Sequence, residues 1–310
     1  MDGQDGIDRW LAMPGARRLV PADADYPSQL AAVGGRPPDL YVLGDVALLS
    51  RPQVAIVGSR NPTAAGRRVA AEMARGLVAA GFVITSGLAR GIDAAAHAGA
   101  LNAGGATVAV LGTGPDICYP RDNRPLFERI ARGGALVSEF PPGTGPRAHH
   151  FPRRNRIISG LARAVVVIEA AADSGSLITA SHAADQGRDV FAVPGSPLNP
   201  LAAGCNALIR SGAVLARDAA DVLAETGRPQ AENSHQDQRL VSTQESADGK
   251  SRLDKDYEML LDALGFEPAS IDDLVDRTGL SPRTVASMML ILELQGRVEA
   301  RPGALYNRVI

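Results

Sequence analysis

Aromatics, cysteine and long apolar runs are all scarce in this sequence. Phe, Trp and Tyr make up 4% of its 310 residues, so a core must be built mainly from Ala, Val, Leu and Ile. The two cysteines, Cys118 and Cys205, supply neither a disulfide framework nor zinc-ligand spacing. Apolar stretches are short, Ala164–Ile168 being typical, and none approaches the roughly 18 residues that span a bilayer. No membrane partner is expected. The opening residues, MDGQDGIDRW, are acidic and lack the basic-then-apolar layout of a signal peptide, so the expected location is the cytoplasm. The dinucleotide fingerprint G-x-G-x-x-G and the P-loop are both missing; Gly112-Thr113-Gly114 begins like the former but lacks its third Gly.

What is present points to an ordered chain. Hydrophobic residues are 45% and charged residues 21%, which excludes a wholly disordered polypeptide. The length fits about two domains. Formal net charge is −2, but it is unevenly spread: residues 51–225 carry 18 basic against 13 acidic groups, and residues 254–310 carry 6 against 10. Between Arg121 and Arg163 lie nine Arg against Asp122, Glu128 and Glu139. Such a block suits a polyanion, or simply a solvated helix face. All cations of residues 51–225 are Arg, a bias that genome composition alone produces.

From residue 53 onward, short β-branched runs alternate with helical patterns. The strands are QVAIVG (53–58), FVITSG (82–87), ATVAVLG (106–112), ALVSEF (135–140), AVVVIEA (164–170), DVFAVPG (189–195) and AVLA (213–216). Helices are predicted between them, one starting near Asn155. This alternation predicts an α/β fold: an extended Rossmann-like, doubly wound parallel sheet over residues 51–225. Residues 1–50 read as a lead-in segment. Residues 226–253 are polar and read as a flexible linker. In 254–310 a helix at Tyr257–Leu264, a helix capped by Ser270, a Thr278-Gly279-Leu280 turn and a helix from Pro282 to Leu294 precede a hairpin around Pro302-Gly303, which together predict a winged helix.

The candidate chemistry sits where predicted strands end, the edge at which open α/β sheets bind ligands. Gly58, Ser59 and Arg60 combine close backbone approach with hydroxyl and guanidinium donors, or form an ordinary turn. Ser86 to Asp93 set Arg90 between glycines at a helix start, with Asp93 as a cap and His97 one turn on. Ser174, Gly175 and Ser176 open another helix as a compact phosphate cradle. The densest run is His149 to Arg156, in which Phe151, Arg153, Arg154, Asn155 and Arg156 mix an aromatic with cations; Tyr119 and Arg121 repeat the mixture. Aromatic and Arg residues interleaved in this way fit single-stranded nucleic acid better than a duplex, the bland alternative being a basic helix start with Phe151 in the core.

The stretches VAIVGSR, SGLARGIDAAAH, LGTGPDICYPRDN, SEFPPG, HFPRRNRIISGL, EAAADSGSLITA, VFAVPG and GCNALIRSGA, in that order, resemble the DNA-processing protein A family (DprA, also called Smf) from about Tyr26 to Asp221. The resemblance implies a homodimer that binds single-stranded DNA, protects incoming strands in natural transformation and loads the RecA recombinase. It implies no catalytic step, and no cofactor or metal is expected. It implicates Ser59, Arg60, Arg90, Arg154, Asn155, Arg156 and Ser174 to Ser176. Many relatives carry an N-terminal SAM-type domain, whereas about 25 residues precede the Asp25-Tyr26-Pro27 region; such a domain is expected to be truncated or absent. The acidic winged helix, with Arg283 the only cation of its second helix, is expected to contact protein or to pack within the molecule rather than read DNA. The alternative is a nucleotide-binding hydrolase related to phosphoribohydrolases, with Glu139 and Glu169 as a candidate acid–base pair. A third reading is a chromosomal regulator acting through its winged helix.

Overall fold

The computed structural model describes residues 3–34, 38–229, 260, 264, 268–278, 280–294, 296–301, 303 and 305–308. The chain divides into two units, Met1–His235 and Gln236–Ile310. In the first, the described strands are β1 (Ala16–Leu19), β2 (Leu40–Gly44), β3 (Gln53–Gly58), β4 (Val83–Ser86), β5 (Thr107–Val110), β6 (Ala135–Ser138), β7 (Ala164–Ile168), β8 (Asp189–Ala192) and β9 (Val214–Leu215). They form one sheet in the order β1-β2-β6-β5-β4-β3-β7-β8-β9. From β6 to β9 every pairing is parallel, with Val54 to Gly58 of β3 running beside Ala164 to Ile168 of β7.

Parallel strands need crossovers, and the helices supply them. These are α3 (Ala64–Ala79), α4 (Ile92–Asn102), α5 (Arg124–Gly133), α6 (His150–Leu161), α7 (Ser176–Asp185) and α8 (Ala203–Arg210); α9 (Ala219–Thr226) follows β9, and α1 (Gly3–Leu11) and α2 (Ser28–Ala31) precede β3. Both faces of the sheet are covered, which is why its strands read as unbroken apolar runs. Val54 and Ile56 of β3 lie in one core with Met73, Leu77, Ala96 and Val222. Ala55 and Val57 lie in the other with Ile157, Ile158, Leu161 and Ala180. Each fully buried Val or Ile contributes about 1.5–3 kcal/mol, so both faces hold the central strands in register.

Two features differ from the sequence reading. The boundary expected at residue 50 falls inside the first unit. There β2 pairs antiparallel with β6, Val42 opposite Val137, and Leu19, Leu30 and Leu40 are buried in the same core. And α6 begins at His150 rather than near Asn155. Pro152 falls in its first turn, where a missing N–H breaks no intrahelical bond.

The second unit, over its described residues, has helices Ile271–Thr278 and Pro282–Leu294 and a sheet of Ala269–Ser270, Leu305–Arg308 and Val298–Arg301 in that spatial order. Leu260, Leu264, Leu274, Val285, Met289 and Leu292 form its core. Ser270 caps the first of these helices as expected: its Oγ accepts from Asp273 N at 3.1 Å, while the Asp273 carboxylate accepts from Ser270 N at 2.9 Å. The expected linker beyond residue 229 lies outside the described residues, as do Pro302 and most of Tyr257–Leu264. Among the described residues no helix is long and apolar enough to cross a membrane.

Candidate nucleic-acid interface

Strand order reverses between β3 and β7: the chain builds outward from β3 to β6, then returns to lay β7 on the other side. Loops leaving two such strands diverge, and the crevice between them is where open α/β sheets take ligands. A cleft of about 400 Å³ lies there, lined by Gly58, Ser59, Arg60, Phe151, Arg154, Asn155 and Ser174 to Ser176. Three separate strand-end motifs thus converge on one cavity. Arg90, Tyr119, Arg121, Arg153 and Arg156 do not line it.

Hydrogen bonds fix each loop in place. Ser59 N donates to Glu169 O at 2.6 Å, joining the ends of β3 and β7. The Glu169 carboxylate accepts from Thr63 N at 2.7 Å and Thr63 Oγ1 at 2.5 Å, anchoring the start of α3. Ile92 N donates to Ser59 O at 3.1 Å, tying the second loop to the first. Gly91 makes this approach possible: its φ is +82°, and a Cβ there would lie 2.3 Å from Ser59 O. At the head of α7 the Ser174 and Ser176 hydroxyls are 2.8 Å apart; Ser176 N donates to Ser174 Oγ at 3.3 Å and Leu177 N to Ser174 O at 3.0 Å, at the helix end whose dipole favours an anion.

Helix α6 sorts the basic run by face. Arg154 and Asn155 turn inward and are buried. Arg154 donates to Gly87 O at 2.6 Å, to Val110 O and to Asn155 Oδ1 at 3.0 Å. A Cβ on Gly87 would lie 2.3 Å from that guanidinium. Burial pushes the Arg154 pKa down to about 10, opposed by Asp93. Asp93, which also lines the cleft, accepts from Gly87 N at 3.1 Å and Ala89 N at 3.3 Å. Burial raises its pKa, with Arg154 and these bonds pulling the other way. The floor of the cleft is therefore a buried guanidinium held on backbone carbonyls, with the Asp93 carboxyl acting on it through its field. Sequence reasoning gave Asp93 only a capping role; its place in the cleft has no local signal.

Outward, Arg153 and Arg156 both pair with Glu139, at 2.7 and 2.9 Å. Arg90 pairs with Asp122 at 2.5 Å in an exposed contact. Arg60 and Arg121 are exposed and make no ion pair among the described residues. Tyr119 is half exposed, its ring 5.4 Å from that of Phe151. Asn123 Nδ2 donates to Leu88 O at 2.9 Å and Ala89 O at 3.2 Å, holding the Tyr119 loop against the Arg90 loop. His97 is structural: it is buried, its Nδ1 is 2.7 Å from Thr107 Oγ1, and burial lowers its pKa to about 3. The edge thus offers exposed guanidiniums, hydroxyls and two touching aromatic rings around a cleft with a charged floor.

A family model described as DNA recombination-mediator protein A matches residues 17–227, and one described as DprA winged helix domain matches residues 244–304. Protein Smf of Synechocystis sp. is 40% identical over 316 residues, covering 94% of this chain and 79% of that protein. The X-ray structure of DNA processing protein A from Streptococcus pneumoniae superposes with a TM-score of 0.68 at 44% identity, over 73% of this chain and 78% of that one. A structure of DNA processing protein A from Helicobacter pylori, described for its single-stranded DNA binding mode, gives a TM-score of 0.61 at 30% identity, over 67% of this chain and 94% of that one.

Proposed function

The chain belongs to the DNA recombination-mediator protein A family, and from that premise we propose that it binds single-stranded DNA along the carboxyl edge of its sheet and passes the strand to a recombinase. The observation that carries this reading is the cleft between β3 and β7, where Arg60, Ser174 and Ser176 lie beside Phe151, and Phe151 in turn touches the half-exposed Tyr119. Guanidinium and hydroxyl groups take phosphates, and aromatic faces take unpaired bases whatever their sequence. A duplex hides those faces within its stack, so such an edge favours the single strand. The Helicobacter pylori relative, with its single-stranded DNA binding mode, supports the same ligand.

The recombinase in this reading is RecA, the working form is a homodimer, and the compartment is the cytoplasm. We assign no catalytic step. Glu139 and Glu169, the pair a phosphoribohydrolase-like reaction would need, are each engaged elsewhere: Glu139 holds Arg153 and Arg156, and Glu169 anchors Thr63. Anisotropy of a labelled dT oligonucleotide and a matching duplex, across a salt series, tests the binding. Preference for the single strand is expected, with log affinity falling by about 0.7 per log unit of salt for each phosphate neutralised. Little binding to either ligand would overturn it, and release of free base from a nucleoside monophosphate would restore the hydrolase. RecA loading is read as faster RecA ATP hydrolysis on a strand precoated with single-strand-binding protein, and the dimer as a doubled mass in solution.

A further inference from the structure

The loop after β6 places a carboxylate among the cations of α6. The Glu139 side chain is 1% exposed, against 58% for Arg153 and 29% for Arg156. Arg153 Nε at 2.8 Å, Arg153 Nη2 at 2.7 Å and Arg156 Nη2 at 2.9 Å all meet one oxygen, Oε2. Oε1 is buried and accepts no hydrogen bond among the described residues. The Arg153 guanidinium also sits 5.5 Å over the Phe140 ring, and His150 stacks on that ring at 3.8 Å.

Two free arginine side chains lose rotamer freedom when they grip a ligand, at about 0.5–1.5 kcal/mol for each side chain immobilised. Here that ordering is already complete. Each guanidinium has five N–H donors. Arg153 spends two on Glu139 and Arg156 one, so outward-facing donors remain on both. They cannot both leave Glu139 cheaply, because a buried carboxylate stripped of its cations is strongly disfavoured. Arg153 and Arg156 stand three residues apart on one helical face, a pair of forks held on one carboxylate oxygen beside the Phe140 ring.

We propose that Glu139 is a positioning residue that preorganises Arg153 and Arg156 as a two-pronged phosphate clamp, and that these arginines grip the strand without releasing Glu139. The inference rests on the single-stranded DNA reading above. It predicts a sign opposite to that of simple charge. Glu139→Gln keeps the shape and removes a negative charge. If Glu139 merely diluted the positive field, the variant would bind single-stranded DNA more tightly and with a steeper salt dependence. If it positions the clamp, the variant binds about tenfold more weakly, with a slope shallower by about 0.7 for each phosphate no longer neutralised.

The full-length protein is titrated with labelled dT oligonucleotide, Glu139→Gln beside the unaltered chain. Failure of the unaltered chain to bind overturns the function itself. Normal binding by that chain, with equal or tighter binding by a folded variant, overturns only the clamp. Should the variant not fold, the unaltered protein still decides. The Nε–H resonance of Arg153 should be sharp and protected from exchange before DNA is added, and should remain so in the complex. Rapid exchange in the free protein, or disappearance of the signal on binding, would overturn the clamp.

Discussion

The floor and the rim of the cleft hold the same residue type and use it in opposite ways. On the floor, Arg154 is buried against strand-end carbonyls; on the rim, Arg60 stands in solvent without an ion-pair partner among the described residues, as Arg121 does beyond the cleft. The difference shows how little a count of arginines says about the charge offered to a ligand. Of the cations between Arg121 and Arg163, Arg154 is internal, Arg153 and Arg156 share Glu139, and Arg124 pairs with Glu128 at 3.0 Å. The floor sets the geometry of the loops, and in the proposed function the rim meets the strand.

The largest effect is expected on the floor. Arg154→Met leaves the carbonyls of Gly87 and Val110 without their donor and Asp93 buried without its cation. Each buried acceptor left without a partner costs about 1–3 kcal/mol, read together as a lower urea midpoint. A destabilisation under about 1 kcal/mol would place Arg154 with the rim residues and erase the distinction. Next comes Tyr119→Ala. A base stacked on an aromatic contributes about 1–3 kcal/mol, so affinity for dT should fall by that amount. Because Tyr119 is 47% exposed, the urea midpoint should hardly move. Unchanged binding would remove the Tyr119 loop from the path of the strand.

Arg60→Ala sharpens the same contrast at smaller cost. It removes one exposed charge beside the Ser174 cradle and should reduce the salt slope by about 0.7, with the melting temperature unchanged. Equal slopes would mean that no phosphate sits at Arg60. A fall in melting temperature would mean that the first loop belongs to the floor.

The sheet edge was legible in the sequence because its signals are local. A β-branched run followed by Gly, Ser and Arg marks a strand end, and repeating it along the chain puts several such ends on one edge. The buried role of Arg154 was not legible, since its carbonyl partners stand 67 and 44 residues away. The Glu139 pairings, spanning 14 and 17 residues, are likewise set by the fold. Strand β1, reading ARRL with both arginines exposed, has too few apolar residues to show a period. The start of α6 was hidden by Pro152, which looks like a breaker and is tolerated in a first turn. Family motifs pointed to loops that meet at one cleft, but only packing separated the residues that face the cleft from those that brace it.

The smallest effect lies in the second unit, where Asp273 serves its own helix. On its second helix the exposed residues include Leu290 and Ile291, a poorer surface for phosphates than the arginine-bearing sheet edge of the first unit. On its first helix Asp273 sits in a capping box, where the Ser270 hydroxyl and then the Ser270 N–H hold its carboxyl below the ordinary value. A carboxylate with a depressed folded-state pKa stabilises the fold above its unfolded value of about 3.9. That contribution is lost as pH falls through the lower, folded value. Ser270→Ala removes the larger cause and leaves the N–H bond. The Asp273 titration, followed by the amide resonances of Ser270 and Asp273, should therefore move up toward about 3.9 without reaching it, while affinity for single-stranded DNA stays unchanged. An unmoved titration would take Ser270 out of the cap. A change in DNA affinity would mean that the second unit takes part in binding, and the division of labour between the two units would fall with it.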